Sequence, residues 1–138
     1  MNVTKRQLIL LAEDDADDEL LALRTFRQGQ VHADVVVVRD GAEALDYLFG
    51  TGVYARRDLS QMPTHIVLDM YLPRMNGLEV LQRIKSDERT KAIPVTMLTG
   101  SDYEVITSEI LRQGAAACVM KPITASDLRQ IGAPNGPA

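Results

Sequence analysis

The chain has 138 residues, of which 46% are hydrophobic and 25% charged, a size and composition that predict one soluble domain with a core of its own. Its formal net charge of −4 argues against a nucleic-acid-binding surface, which needs a basic patch. The single cysteine excludes an internal disulfide, and no apolar run approaches the roughly 20 residues of a membrane span, so we expect a cytoplasmic protein without direct nucleic-acid or membrane partners.

Five short apolar runs mark the predicted strands. Each run is continuous, which is typical of strands buried on both faces of a parallel sheet. Apolar residues at helical spacing follow the first four runs, beginning with Leu20, Leu21, Leu23 and Phe26. This alternation predicts an α/β fold with a doubly wound, five-stranded parallel sheet. For five strands we expect the flavodoxin-like order 2-1-3-4-5, which is taken from known folds of this class and does not follow from the pattern. The runs are "LILLA" at 8–12, "VVVV" at 35–38, "IVL" at 66–68, "VTML" at 95–98 and "AACVM" at 116–120.

Two segments depart from this alternation. "FGTGVYARRDLSQMPTH" lies between the second helix and the third strand, and its lack of any period predicts a long loop that is either functional or merely mobile. "TASDLRQI" can begin a last helix with Thr124 or Ser126 as its cap, but "GAPNGPA" ends that helix within about two turns. We expect a single domain over 1–138, with its core at about 7–131, a short last helix and a flexible tail at 132–138.

Acidic residues stand at the carboxyl ends of two predicted strands. Glu13, Asp14 and Asp15 follow the first strand, and Asp69 ends the third. In an open α/β sheet, ligands bind beyond these ends at the point where the strand order reverses. Like charges held this close are costly unless a cation bridges them, and oxygen ligands suit Mg²⁺. The sequence therefore predicts a divalent metal site between the first and third strands.

Helix capping is a simpler explanation for part of this acidic run. Asp15, Asp17 and Asp18 suit the first turn of the first helix, where they can cap it and complement its dipole. Glu13 and Asp14 come before the cap position, against the end of the strand. Because a cap accounts for one acid only, these two remain candidate metal ligands.

The last two strands each end in a polar group as well. We expect the fourth strand to end in Thr99 and the fifth in Lys121. Taken alone, Thr99 would be read as a turn or cap residue and Lys121 as a solvated surface lysine. Acids, a metal, a hydroxyl and an ammonium at one edge of a sheet together predict a site for an oxyanion.

Four blocks of the sequence resemble the signature blocks of response-regulator receiver domains. The resemblance covers about residues 7 to 131, and the spacings from Asp69 to Thr99 and to Lys121 agree with the receiver pattern. Two further stretches, "EDDADDELLALR" and "RDGAEALDYLFGTGVYA", are similar to the stand-alone receivers that serve phytochrome-type histidine kinases. The four blocks are "ILLAEDD", "HIVLDMYLPRMNGLEVLQRIK", "IPVTMLTGS" and "GAAACVMKPI".

The resemblance implies a two-component response regulator and a role for each acid. Asp69 would be the nucleophile that takes a phosphoryl group from a phosphohistidine of a sensor histidine kinase. Mg²⁺, or Mn²⁺ in its place, would be bound by the carboxylates of Glu13, Asp14 and Asp69 and by the backbone carbonyl of Tyr71. Such a protein is a signalling domain with self-catalysed phosphotransfer and autodephosphorylation rather than an enzyme.

The resemblance also implies how a signal would leave the site. Lys121 would pair with a phosphoryl oxygen, and Thr99 would donate its hydroxyl and draw the following loop inward. The signal would reach a downstream protein, or a second copy of the chain, through the face of the fourth helix, fifth strand and last helix. The switch position of the family is usually aromatic and here is Cys118, either a small core residue or a redox-sensitive thiol.

Two other functions compete with this interpretation. A phosphohydrolase of the haloacid-dehalogenase type also combines Asp, Thr, Lys and acids around Mg²⁺. That family places its nucleophile after the first strand and a second aspartate two residues later, whereas this chain has Asp69 after the third strand and then Tyr71. A non-phosphorylated interaction module would not need all the polar strand-end residues together.

Overall fold

The computed structural model describes residues 7–29, 31–100, 104–124 and 126–127 of the chain. Over these ranges five strands alternate with four helices, and a short 3₁₀ turn follows the second helix. Among the described residues, no helix has the length and apolar content to cross a lipid bilayer. The strands and helices are β1 (Gln7–Ala12), α1 (Ala16–Gln28), β2 (Ala33–Val38), α2 (Gly41–Phe49), β3 (His65–Asp69), α3 (Gly77–Lys85), β4 (Val95–Thr99), α4 (Glu104–Arg112) and β5 (Ala117–Met120).

The five strands form one parallel sheet in the order β2-β1-β3-β4-β5. The predicted fold class and strand order are therefore confirmed. Strand β1 pairs with β3 so that Ala12 lies opposite Leu68. This register places Glu13, the residue after β1, next to Asp69, the last residue of β3.

The sheet separates two apolar cores, as the continuous apolar runs predict. Alternate side chains of β1 enter opposite cores: Leu10 and Ala12 pack with α2 and α3, while Ile9 and Leu11 pack with α1. All four of these β1 residues are fully buried, because β1 lies inside the sheet and is covered on both faces. The edge strands β2 and β5 are only partly buried.

The face of α1 that packs on the sheet differs from the prediction. Leu20 and Leu21 are 55% and 43% exposed, and the buried residues are Ala22 and Phe26. These two lie four residues apart, which is one helical stripe. The leucines lie beside that stripe because the sheet, rather than the apolar content of the helix, sets which side faces inward. One turn earlier the same stripe reaches Asp18.

Two regions outside the regular strand–helix alternation have different outcomes. The segment between α2 and β3 is tied to α2: the Tyr54 hydroxyl donates to Glu43 at 2.7 Å, and Arg57 Nε donates to the carbonyl of Tyr47 at 2.6 Å. These contacts give the loop a defined structure. The predicted last helix and the tail at 132–138 lie outside the described residues, apart from the pair 126–127.

Candidate functional site

Three carboxylates meet at the ends of β1 and β3. Glu13 and Asp14 follow β1 directly, and Asp69 is the last residue of β3. One oxygen from each of these three side chains lies within 4.8 Å of the others. Glu13 is 1% exposed and Asp69 4%, whereas Asp14 is open to solvent. This geometry is a cluster of oxygen donors that could hold a divalent cation.

The ammonium of Lys121 lies among these acids. Its Nζ donates to Asp69 Oδ2 at 2.6 Å, lies 3.0 Å from Glu13 Oε1, and donates to Asp18 Oδ2 at 2.9 Å. Strand β5 ends at Met120 rather than at Lys121 as predicted. The backbone N–H of Lys121 still donates to the carbonyl of Thr99 at 2.8 Å, so the lysine leaves the sheet beside β4.

The pKa values of Glu13 and Lys121 reflect this crowding. Burial and the negative charge of Asp69 raise the pKa of Glu13 to about 7, although the hydrogen bond from Lys121 lowers it. Burial alone would lower the pKa of Lys121, but its hydrogen bonds to Asp69, Asp18 and Glu13 outweigh burial and raise it. Added positive charge stabilises the ionised form of an acid whose pKa is raised in this way. The electrostatics of the cluster therefore favour a bound cation.

The loop after β3 is shaped around Asp69. The backbone N–H of Tyr71 donates to Asp69 Oδ1 at 3.1 Å, and that of Gly77 donates to the carbonyl of Met70 at 2.8 Å. A Cβ at position 77 would overlap the backbone carbonyl oxygen of Asp69, so only glycine fits there. Asn76 caps α3 by accepting from the backbone N–H of residue 79. The Asn-Gly pair thus starts α3 close against the strand end.

Thr99 and Cys118 lie on the two strands beyond β3. Asp69 pairs with Leu98, so the buried Thr99 stands one residue farther toward the carboxyl edge of β4. Cys118 is partly buried against the core, and burial raises the pKa of its thiol despite a hydrogen bond with Thr107. A raised pKa suppresses the reactive thiolate, which favours the small-core-residue interpretation of Cys118 over the redox-sensitive one.

The remaining acids of α1 have different roles. Asp15 is the N-cap, since its side chain accepts from the backbone N–H groups of Asp17 and Asp18. Asp18 contacts Lys121 as well, a role that sequence reasoning missed. The buried residues Ala22 and Phe26 place Asp18 on the side of α1 that faces the sheet, and the apolar pattern of the helix did not indicate that side.

Two residues after β2 brace the loops that carry the acids. Arg39 Nη1 donates to the backbone carbonyl of Glu13 at 3.4 Å. Asp40, which caps α2, accepts from Arg74 Nη2 at 3.1 Å, and Arg74 has a left-handed backbone with a φ of 67°. The segment between β2 and α2 therefore contacts both the β1–α1 turn and the β3–α3 loop. No sequence pattern indicated these contacts.

The chain matches the family model described as the response regulator receiver domain over residues 9–132. It is 36% identical over 98 residues to the response regulator Rcp1 of Synechocystis sp., a match that spans 71% of this chain and 65% of that protein. The match to Rcp1 therefore covers somewhat less than two thirds of the relative.

Two solved structures share the fold over most of the chain. The bacteriophytochrome response regulator RtBRR superposes with a TM-score of 0.85 at 39% identity, covering 97% of this chain and 80% of that one. The phosphorylated cyanobacterial phytochrome response regulator RcpA superposes with a TM-score of 0.77 at 36% identity, covering 92% of this chain and 89% of that one.

Proposed function

The chain belongs to the response regulator receiver domain family, and from this premise we propose that Asp69 accepts a phosphoryl group from a phosphohistidine of a sensor histidine kinase. The observation that carries the proposal is the contact of the Lys121 ammonium with Asp69, at 2.6 Å, beside two further carboxylates. Phosphoryl transfer needs positioning and charge neutralisation more than covalent help. The lysine positions the acceptor carboxylate of Asp69, and its positive charge offsets the negative charge of the phosphoryl group.

The proposed step forms one bond and breaks another. A carboxylate oxygen of Asp69 would attack phosphorus, forming an O–P bond, while the P–N bond to the donor histidine breaks and the imidazole keeps the electron pair. The Lys121 ammonium would donate to a phosphoryl oxygen as a point-charge binder. Thr99 would donate its hydroxyl to the phosphoryl group, shifting the following loop inward and with it the inactive–active equilibrium.

The donor set fits a divalent cation, Mg²⁺ in the first place and Mn²⁺ as a substitute. Glu13, Asp14 and Asp69 offer only oxygen donors, which hard cations prefer. The proposed ligands are these three carboxylates and the backbone carbonyl of Tyr71. When bound, the cation would neutralise charge on the transferred phosphoryl group.

We further propose that residues 1–138 form a single receiver domain that catalyses both its own phosphorylation and the hydrolysis of its aspartyl phosphate. Family membership implies a histidine kinase partner. The phytochrome type is proposed because RtBRR and RcpA are phytochrome response regulators. The phosphorylated form would signal through α4 and β5 to a downstream protein or a second copy of the chain. The predicted last helix, which would complete this face, lies outside the described residues apart from the pair 126–127.

Intact mass after incubation with Mg²⁺ and acetyl phosphate tests the proposal. The wild type should gain one phosphoryl group, and Asp69→Asn should gain none, because the amide cannot act as the acceptor. Asp17→Asn removes an exposed carboxylate from α1 and is the matched control, which should keep the adduct. Leaving out Mg²⁺ should abolish the adduct in the wild type and in Asp17→Asn.

Two results would contradict the proposal. One is a wild type without an adduct, and the other is an adduct that persists in Asp69→Asn. Steady hydrolysis of unrelated phosphate esters by the wild type would instead identify a phosphohydrolase. That activity would revive the haloacid-dehalogenase-type interpretation.

A further inference from the structure

Lys121 is shared among three carboxylates from three different segments. Its Nζ lies 2.6 Å from Asp69 at the end of β3, 2.9 Å from Asp18 on α1, and 3.0 Å from Glu13 after β1. The side chain of Lys121 is 21% exposed. An ammonium has three N–H donors. Each N–H of the ammonium can therefore donate to one of the three carboxylates.

Asp18 differs from the other two acids in one respect. Glu13 and Asp69 both belong to the cluster of oxygens that could hold a cation, and Asp18 does not. If those two carboxylates bind a cation, each of them interacts with both the cation and the lysine ammonium. Asp18 can then keep its hydrogen bond to Lys121 unchanged.

The position of Asp18 is fixed by the first turn of α1. Its backbone N–H donates to the side chain of the cap residue Asp15 at 2.9 Å, and it lies one turn before the buried Ala22. The aspartate side chain has only two rotatable bonds, so a fixed backbone leaves its carboxylate little freedom. The same carboxylate is 38% exposed, which places it at the rim of the site, where it is not needed to fill the core.

We propose that Asp18 is a positioning residue that holds the Lys121 ammonium beside Asp69 while Glu13 and Asp69 bind the cation. This role rests on the proposed function. Without Asp18, the ammonium either pairs more closely with the two acids that the cation needs or turns away into solvent. The first change makes the lysine compete with the cation for its ligands. The second removes a donor from the place where phosphoryl charge develops, and charge-assisted contacts of this kind are the stronger ones.

The kinetic test compares Asp18→Asn with Asp17→Asn. Each variant removes one negative charge from the first turn of α1, so long-range effects on an anionic donor are matched. With saturating Mg²⁺ and acetyl phosphate, Asp18→Asn should be phosphorylated about tenfold more slowly than Asp17→Asn, about 1.4 kcal/mol of barrier. Asp17→Asn should stay within about twofold of the wild type. Asp18→Glu should recover part of the rate, because it restores a carboxylate.

The lysine itself provides a readout that does not depend on phosphoryl transfer. In ¹H–¹⁵N spectra of the lysine ammonium groups with Mg²⁺ and no phosphodonor, Lys121 should be visible in the wild type and in Asp17→Asn. The signal should broaden or vanish in Asp18→Asn, because ammonium protons exchange rapidly once they are not held in hydrogen bonds. Lys121→Arg assigns the resonance, and circular dichroism checks that the variants fold.

The outcomes separate this role from the function on which it rests. If the wild type is phosphorylated but Asp18→Asn matches Asp17→Asn in rate and in the lysine signal, Asp18 has no positioning role and the receiver function stands. If the wild type is not phosphorylated, both fail. A slowed Asp18→Asn with a lost lysine signal supports the proposal.

Discussion

Asp69 is held at both of its carboxylate oxygens. Lys121 Nζ donates to Oδ2 at 2.6 Å, and the backbone N–H of Tyr71 donates to Oδ1 at 3.1 Å. The second contact does not depend on the side chain at position 71. Tyr71 is 63% exposed and so contributes little to the core. A substitution at position 71 can therefore change the surroundings of Asp69 without releasing it.

Tyr71→Ala should shorten the lifetime of the phosphorylated form about threefold, a change of under 1 kcal/mol in the barrier. The physical reason is that a bulky ring two residues from Asp69 hinders the approach of the hydrolytic water. Loss of the adduct in intact mass, followed after removal of the phosphodonor, measures the lifetime. Tyr71→Phe keeps the ring and should keep the wild-type rate. An unchanged rate in Tyr71→Ala would refute this role.

At the scale of elements, Arg57 organises the loop between α2 and β3. Its guanidinium carbon lies 4.0 Å from the ring centroid of Tyr47, and its Nε donates to the carbonyl of the same residue. On the other side, Nη1 donates to the carbonyl of Gln61 at 2.9 Å. One side chain thus closes the loop onto α2, since it contacts the helix and the far end of the loop together.

Arg57→Ala should loosen this loop while the sheet stays folded. Hydrogen bonds that involve a charged group contribute roughly 1.5 to 3 kcal/mol, so the free energy of local opening should fall by about that amount. Amide hydrogen exchange by mass spectrometry over residues 51–62 should then be about tenfold faster or more. Arg56→Ala, at an exposed position next to it, is the control and should exchange like the wild type. Equal exchange in both variants would exclude Arg57 as the organising residue.

At the scale of the whole molecule, His65 joins two central strands at the end of the sheet opposite the acids. Its Nε2 lies 2.9 Å from the Thr96 hydroxyl, and the residue is buried. Burial, with a smaller contribution from the positive charge of Lys85, lowers the pKa of His65 to about 4. The folded protein therefore holds this histidine neutral, whereas the unfolded chain protonates it near its ordinary pKa of about 6.5.

The free energy of unfolding should fall by about 2 to 3 kcal/mol through His65 as the pH drops from 7.5 to 4.5. The sign follows because the unfolded state binds the proton first, so this stability is complete above pH 6.5 and is lost toward pH 4. Glu13, with its raised pKa, acts in the opposite direction. Urea unfolding of the wild type and His65→Gln at both pH values isolates the histidine, because Glu13 is common to both. A pH dependence that is the same in the two proteins would contradict this assignment.

The fold class and the acidic residues at the strand ends could be predicted from the sequence. A continuous apolar run and the polar residue that ends it are neighbours in the chain. The run "IVL" followed by Asp69 therefore predicts a buried strand with a carboxylate at its end. Parallel strands align their carboxyl ends at one edge of the sheet. The sequence therefore predicts that the side chains of Glu13, Asp14, Asp69 and Lys121 lie at that edge.

Features that depend on neighbours along the chain could be predicted from the sequence: the five apolar strands, their alternation with helices and an acidic cap at the start of α1. Contacts between distant segments set which side of α1 faces the sheet. This is why Asp18 contacts a lysine 103 residues away while Asp17 faces solvent. The loop contacts of Arg57 belong to the same class. A helix can rotate about its axis, and a long loop can fold in many ways, with little change in the free energy of local interactions. Packing against distant segments selects one arrangement.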